Sequence, residues 1–332
     1  MGSGFDSQQS DQLLLMKETL RIGVLMGGPS VEHDVSLNTG NNVMRALANK
    51  GYRHDPLILS STKELSVHDK AVSFPNDMKH YDIIFNALHG TFGEDGELQT
   101  ILDMLGISYT GSGAEASALG MDKWKSREIF KKTGLSVPAS QILQRSDIIP
   151  AISFPAIVKP RASGSSQGVH IVATEKELRE KCSNIFTQGS DIIIEEYLQG
   201  REFTCGVLEK DGVLIALPVV EIRPATAHAF FDYTAKYTDG GATEMIVSAP
   251  IDTDLTERIQ RAAHTAHTAL GCRVYSRSDF IVVDDVPYIL EINTLPGLTA
   301  HSLLPKSAAA AGISFADLIE LILTSSLAHF SR

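Results

Sequence analysis

Residues 272–302 read CRVYSRSDFIVVDDVPYILEINTLPGLTAHS. Two apolar runs, FIVV at 280–283 and YIL at 288–290, flank the turn-prone DDVP at 284–287, which predicts a pair of strands. Asp279 opens the first run, and Glu291 and Asn293 follow the second. Side chains two apart on a strand share a face, so Glu291 and Asn293 point the same way, and Arg277 points with Asp279. Two carboxylates and an amide oxygen at one hairpin make a hard-oxygen set suited to a divalent cation such as Mg²⁺. A fixed guanidinium beside it suits phosphoryl chemistry, whose transition state spreads charge over several oxygens. The plain alternative is a charged hairpin rim.

Working outward, the 332 residues suggest two or three domains, and 43% hydrophobic with 21% charged residues is ordinary for a globular chain. A formal net charge of −11 argues against nucleic acid as a partner. No apolar run is long enough for a membrane span, and the N-terminus lacks the order of a signal peptide. Cys182, Cys205 and Cys272 are too scattered for a metal site or a disulfide framework, which points to free thiols in a reducing cytosol. Residues 1–19 read as a leader, disordered or added, outside the fold.

LRIGVLM at 20–26 is a short apolar strand running into GGPSVEH at 27–33, with a helix expected from near Ser36 to Gly51. Strand, Gly-rich turn and helix open a doubly wound α/β unit, whose ligand crevice lies beyond the strand ends. Glu32 in this turn is placed to meet an ammonium group, or is an ordinary acid at a helix start. A second glycine-rich turn, HGTFGEDG at 89–96, follows another strand, with His89 as a substrate neighbour or a cap. Residues 116–134 read as a helix pair carrying Lys123, which taken alone is most simply a solvated lysine. FPAIVK at 154–159 precedes the small-residue loop RASGSSQG at 161–168 and a further strand. Such a loop between antiparallel strands can cover phosphates with its N–H groups, Lys159 supplying charge, although it lacks the ending of a P-loop. DIIIEEYL at 191–198 is a buried strand ending in acids, with a return strand at 204–208. Residues 224–244 form a long segment poor in aliphatics, more often a lid than a passive connection. An amphipathic helix is expected at 256–270, and Phe315, Leu318, Ile319 and Ile322 give the last helix its apolar face.

GGPSVEHDVSL, ALHGTFGEDGELQ, YTGSGAEASALGMDK, VKPRASGSSQGV, FDYTAKY, SRSDF and LEINTLPGLTAHSLLP occur in one order between about residues 22 and 322. Together they closely resemble the D-alanine–D-alanine ligase family of the ATP-grasp superfamily. The resemblance implies three domains: an α/β domain at 20–115 with a doubly wound parallel sheet, a central ATP-grasp domain at 116–208, and a catalytic α+β domain at 209–332. It implies ATP, a pair of Mg²⁺ ions with Mn²⁺ as a substitute, two molecules of D-alanine as substrates, a homodimer, and the bacterial cytoplasm.

By the same resemblance Lys123, Lys159 and Lys236 meet phosphates, and Glu195, Tyr197, Leu198 and Glu202 surround adenine and ribose. Asp279, Glu291 and Asn293 hold the metal. Arg277 and the backbone at Gly297 steady the tetrahedral species. Glu32, Ser165 and Tyr237 tie the lid to the first substrate site beside His89, while Ser302 and Leu303 take the second substrate's carboxylate. Tyr237, rather than phenylalanine, implies dipeptide formation over ester formation with D-lactate. Other readings are an ATP-grasp ligase for different amino or hydroxy acids, and a nucleotide-binding scaffold without catalysis.

Overall fold

Two-residue turns with left-handed backbone set much of the architecture. The structure, a computed structural model, describes residues 17–145, 152–164, 168–223, 244–299 and 302–330. The chain begins with β1 (Ile22–Gly27), α1 (His33–Asn49), β2 (His54–Leu59), β3 (Leu65–Val67), β4 (Lys70–Val72), β5 (Ile83–Asn86) and α2 (Glu97–Leu105). The sheet order is β4-β3-β2-β1-β5. Strands β2, β1 and β5 are parallel, whereas β3 and β4 are antiparallel. The expected parallel sheet is therefore mixed. His68 and Asp69, at φ 47° and 62°, turn the three-residue strands β3 and β4 back along β2. Strands that short carry no readable alternation in sequence.

Both faces of this sheet are covered. Ile22, Val24 and Met26 pack on Val43 and Leu47 of α1, and Leu25, Leu57 and Ile84 pack on Leu98 and Leu102 of α2. The first face also receives the C-terminal helix α8 (Phe315–Phe330), through Leu318, Ile319, Ile322 and Leu323. Chain start and chain end thus share one core.

Next come α3 (Ala114–Met121), α4 (Lys123–Lys132), β6 (Ser140–Leu143), β7 (Ala156–Pro160), β8 (His170–Val172), α5 (Glu175–Thr187) and β9 (Ile192–Glu196). These strands form an antiparallel sheet in the order β6-β9-β7-β8, with Leu178, Cys182 and Ile185 of α5 packed on it. Strand β6, only four residues long, holds the edge of this sheet through β9.

The third sheet contains β10 (Arg201–Lys210), β11 (Val213–Ala216), β12 (Val220–Arg223), β13 (Glu244–Val247), β14 (Tyr275–Val283) and β15 (Val286–Asn293). Its order is β13-β12-β10-β14-β15, with β11 on β10. The expected return strand does not fold back on β9: β10 pairs with β14 instead, so this sheet begins at Arg201 rather than after residue 208. Helix α6 (Thr253–Ala269), capped by Asp252 on the Leu255 N–H, packs beneath it together with Ala116 and Phe130 of α3 and α4. After β15 comes α7 (Leu303–Ala310), then α8. The β14–β15 hairpin turns on Asp284 and Asp285 alone, at φ 47° and 59°, a backbone suited to a two-residue hairpin. Val286 and Pro287 belong to the strand.

Cys182, Cys205 and Cys272 are free and buried. Among the described residues no single helix is long and apolar enough to cross a membrane. The pair α7–α8 passes on length and composition but is bent by 104°, and its apolar side chains lie in the shared core.

Candidate active site

The hairpin register brings the opening residues together. Asp279 sits opposite Glu291 and Arg277 opposite Asn293, with an irregularity just after Asp279. Arg277 grips Asp279 with a forked pair of hydrogen bonds at 3.0 and 2.9 Å. On the other side Thr204 of β10, in register with Asp279, donates to its Oδ1 at 2.6 Å. Glu291 lies 3.3 Å from the ammonium of Lys123. The Asn293 side-chain oxygen accepts from the Leu295 N–H at 2.8 Å. Among the described residues no group of three His, Cys, Asp or Glu side chains could hold a metal ion. The oxygen set is two acids and one amide, which suits a hard cation that completes its shell with water and ligand oxygens.

Lys123 is buried, not solvated, at 5% exposure. Asp122 caps α4 by accepting from the Lys125 N–H, so the next side chain leaves the first turn of the helix. Its ammonium donates to the Ser163 carbonyl at the head of the small-residue loop. That loop head is pinned by Arg161, which makes two bonds to Asp122 (3.0 and 2.8 Å) and one to Asp191 (3.1 Å). Arg161 is thus a strut for the loop.

Lys159, on β7, is 6% exposed and pairs with Glu195 on the neighbouring strand β9. Burial pushes the Lys159 ammonium below its usual range, Glu195 opposing this and Arg127 adding to it. Burial works to raise the Glu195 carboxyl, but the charges of Lys159 and Arg127 outweigh it and hold it low. The Glu195 carboxylate, expected around adenine and ribose, is turned onto these two cations.

Lys123, Lys159, Glu195, Tyr197, Leu198, Glu202, Asp279 and Glu291 all line one cavity of about 370 Å³ between the second and third sheets. Ile157, Ile281 and Leu290 supply apolar walls, and Arg201 and Arg223 also border it. A cavity with apolar walls that also carries cations and acids accommodates a ligand with an aromatic part and a polyanionic part. At the border, Glu221 is 2% exposed and holds both Arg201 and Arg223 at 2.8 Å.

A second group gathers at the N-terminal sheet's strand ends. Glu32 is 5% exposed. Its Oε2 lies only 2.9 Å from where a Cβ on Gly90 would stand, and 3.7 Å from one on Gly164. The turn after β1, the loop after β5 and the small-residue loop therefore meet at one carboxylate, and Gly90, at φ +70°, has no room for a side chain. His89 hydrogen-bonds Thr39 at 2.8 Å through Nε2 and faces Glu94 at 3.5 Å. A Cβ on Gly297 would sit 2.9 Å from Ser302 Oγ and 3.9 Å from His89 Cε1, so these three residues are neighbours. Ser302 Oγ accepts from the Thr299 N–H at 3.1 Å, just ahead of α7. The Leu303 side chain is buried with Val220 and Ile222, which leaves its backbone for any ligand. Ser165, Lys236, Tyr237 and most of the expected lid lie outside the described residues.

The sequence reading missed Thr204 and Arg127. Arg127 stands one helical turn after Lys123, so the KxxxR spacing already placed two cations on one face of α4. Thr204 had no local signal, because its role depends on the β10–β14 register.

Two antiparallel sheets closing on a cation-lined cavity, beside a doubly covered α/β sheet, is the architecture of the ATP-grasp ligases. The family model described as D-ala D-ala ligase C-terminus matches residues 127–324, and that described as D-ala D-ala ligase N-terminus matches residues 60–112. A D-alanine–D-alanine ligase of Fervidobacterium nodosum is 41% identical over 318 residues, covering 91% of this chain and 97% of its own. One from Anaeromyxobacter sp. (strain K) is 43% identical over 311 residues, covering 91% and 96%. The structure of the Bacillus anthracis D-alanine–D-alanine ligase complexed with ATP superimposes with a TM-score of 0.80 at 36% identity, over 94% of this chain and 99% of that one. The VanG D-Ala:D-Ser ligase from Enterococcus faecalis gives 0.81 at 30% identity, over 92% and 99%. The chain belongs to the D-alanine–D-alanine ligase family.

Proposed function

We propose that this chain joins two D-alanines into D-alanyl-D-alanine at the expense of ATP, making a precursor of peptidoglycan. The observation that carries this reading is that Lys123, Lys159, Asp279 and Glu291, from a helix and three strands, converge on a single cavity. ATP takes the apolar slot, with adenine near Tyr197 and Leu198, ribose near Glu202, and its phosphates toward Lys123 and Lys159. Asp279, Glu291 and Asn293 hold Mg²⁺, or Mn²⁺ in its place, which supplies charge neutralisation at the transferring phosphate.

A carboxylate is a poor electrophile. The first D-alanine therefore attacks the γ-phosphorus through its carboxylate oxygen, releasing ADP and forming an acyl phosphate. The amine of the second D-alanine adds to the acyl carbon, and the tetrahedral species collapses by expelling phosphate as the amine loses its proton. Arg277, braced by Asp279, faces the oxygens that gain charge, together with the backbone at Gly297. Glu32 and His89 orient the first substrate, and Ser302 with the Leu303 backbone receives the second carboxylate. Ser165, Lys236 and Tyr237 close the assembly over it, excluding water that would hydrolyse the acyl phosphate.

The domain division is likewise a proposal, and the sheets favour a second cut at 200/201, since β10 belongs wholly to the third sheet. A homodimer and a cytoplasmic setting complete the reading; sedimentation tests the first. The deciding experiment offers ATP and D-alanine with D-serine, D-lactate or L-amino acids as competitors, reading ADP release and product mass. D-alanyl-D-alanine as the main product at neutral pH is expected. Mainly ester or D-alanyl-D-serine refutes the assignment, and ATP binding without D-alanine-dependent ADP release favours a scaffold.

A further inference from the structure

Arg127, on α4, is a cation that the proposed chemistry does not use. It is 1% exposed and does not line the nucleotide cavity, whereas Lys159 and Glu195 do. Its Nη2 donates to Glu195 Oε1 at 2.9 Å, and that same oxygen receives the Lys159 ammonium. Among the described residues its Nε and Nη1 find no hydrogen-bond acceptor.

A buried guanidinium with one hydrogen bond is an expensive structural prop. Removing an ion from water costs several kcal/mol, and an apolar side chain of similar volume generally serves packing as well or better. The arrangement makes sense through charge. Lys159 and Glu195 alone would form a closed, neutral pair, with the carboxylate competing against any phosphate for the ammonium. Arg127 adds a second positive charge to the same carboxylate oxygen. With both basic groups protonated and the carboxyl ionised the trio sums to a net charge of about +1, two of its members lining the cavity and Arg127 behind them.

We propose that Arg127 is a positioning residue for nucleotide phosphates: by occupying Glu195 from behind, it keeps the Lys159 ammonium available to the phosphate chain. This deepens the ATP reading and rests on it. Because Arg127 acts only on the charge offered by Lys159, it discriminates between ligands. A phosphate-bearing nucleotide feels its loss; a neutral nucleoside in the same slot does not.

Wild type, R127M, R127K and the double variant R127M/E195Q are titrated with adenosine and with ADP in Mg²⁺ by calorimetry, and KM for ATP is measured. R127M is expected to weaken ADP about tenfold or more, equivalent to about 1.4 kcal/mol or more, and to leave adenosine within about twofold. KM for ATP rises while kcat changes less. R127K recovers most of the loss. R127M/E195Q, which removes the carboxylate along with the guanidinium and so restores the net charge, recovers ADP affinity. The proposal is overturned if folded R127M binds ADP like wild type, or loses adenosine and ADP equally, as a collapsed wall would. Should R127M not fold, R127Q, neutral but still able to donate to Glu195, replaces it: a tenfold loss of ADP with adenosine kept supports the proposal, and wild-type ADP affinity overturns it. A wild type that binds adenosine but no ADP or ATP removes the nucleotide-phosphate reading itself, and this inference with it.

Discussion

Replacing Glu291 by Gln separates a chemical role from a structural one. The side chain is 27% exposed and pairs with the Lys123 ammonium at 3.3 Å. Lys123 keeps its second anchor, the Ser163 carbonyl, when that charge is removed. Losing this pair, in which Glu291 is partly exposed and Lys123 keeps a second partner, costs folding on the order of 1 kcal/mol, or about 2–4 °C in melting temperature in a chain of this size. Turnover is a different matter. On the proposed reading Glu291, one of two carboxylates facing each other across the hairpin, would help hold the cation that offsets phosphoryl charge, and losing one such contact costs on the order of 10²–10³ in rate. That corresponds to about 2.7–4 kcal/mol, well beyond the folding term. The assay is coupled ADP release at saturating ATP and D-alanine, run beside a thermal melt on the same preparation. A kcat within about threefold of wild type would take Glu291 out of the reaction. A melting temperature lowered by more than about 10 °C would make its role structural.

Thr204→Val, nearly isosteric, deletes the 2.6 Å bond to Asp279; a hydrogen bond to a charged group is worth about 1.5–3 kcal/mol, so kcat should fall roughly tenfold or more with little change in KM for D-alanine, and equal rates would refute a bracing role. His267 is buried against Ser276, and burial lowers its pKa from 6.5 to about 4. The unfolded chain therefore takes up a proton first as pH falls, so stability present above pH 6.5 is lost toward pH 4, by about 3 kcal/mol; His267→Gln should flatten that part of a denaturation-versus-pH curve, and an unchanged slope would assign it elsewhere. Stripping divalent ions with a chelator should weaken ATP measured by direct titration at least tenfold while leaving adenosine unaffected, and equal ATP affinity in both conditions would count against metal at Asp279 and Glu291.

The periodicity of the sequence located most elements, because helices α1, α2, α6 and α8 carry strong apolar faces and the long strands strong apolar runs. What it missed was decided at a distance. Strands β3, β4 and β6 are three or four residues long and hold their places through neighbours. The destination of β10 was illegible, since nothing in Arg201–Lys210 says whether it returns to β9 or crosses to β14. Lys123 looked like a solvated helix residue alone, and became a buried, cavity-lining cation only through the loop at Ser163. The geometry of the β14–β15 hairpin was the most legible part, because Arg277, Asp279, Glu291 and Asn293 lie within one local element whose register follows from its turn.

The cavity's charges share one pattern, and it bears on how a ligand enters. Lys123 pairs with Glu291, Lys159 with Glu195, and Arg277 with Asp279. Each of these three cations thus already leans on an acid, and two of those acids, Asp279 and Glu291, are the ones proposed for metal. Bare ATP entering this array would satisfy the lysines and leave its phosphates facing Asp279 and Glu291, where like charges in a partly dry site repel. A divalent ion alone would satisfy the acids and take Glu291 from Lys123 and Asp279 from Arg277. A phosphate chain carrying its own cation meets both sets at once: it divides the existing pairs and leaves no charge unpartnered. Metal and nucleotide affinities must then be reciprocally coupled, each raising the other by the same factor. That coupling follows from the pairing itself, whatever the lid does afterwards.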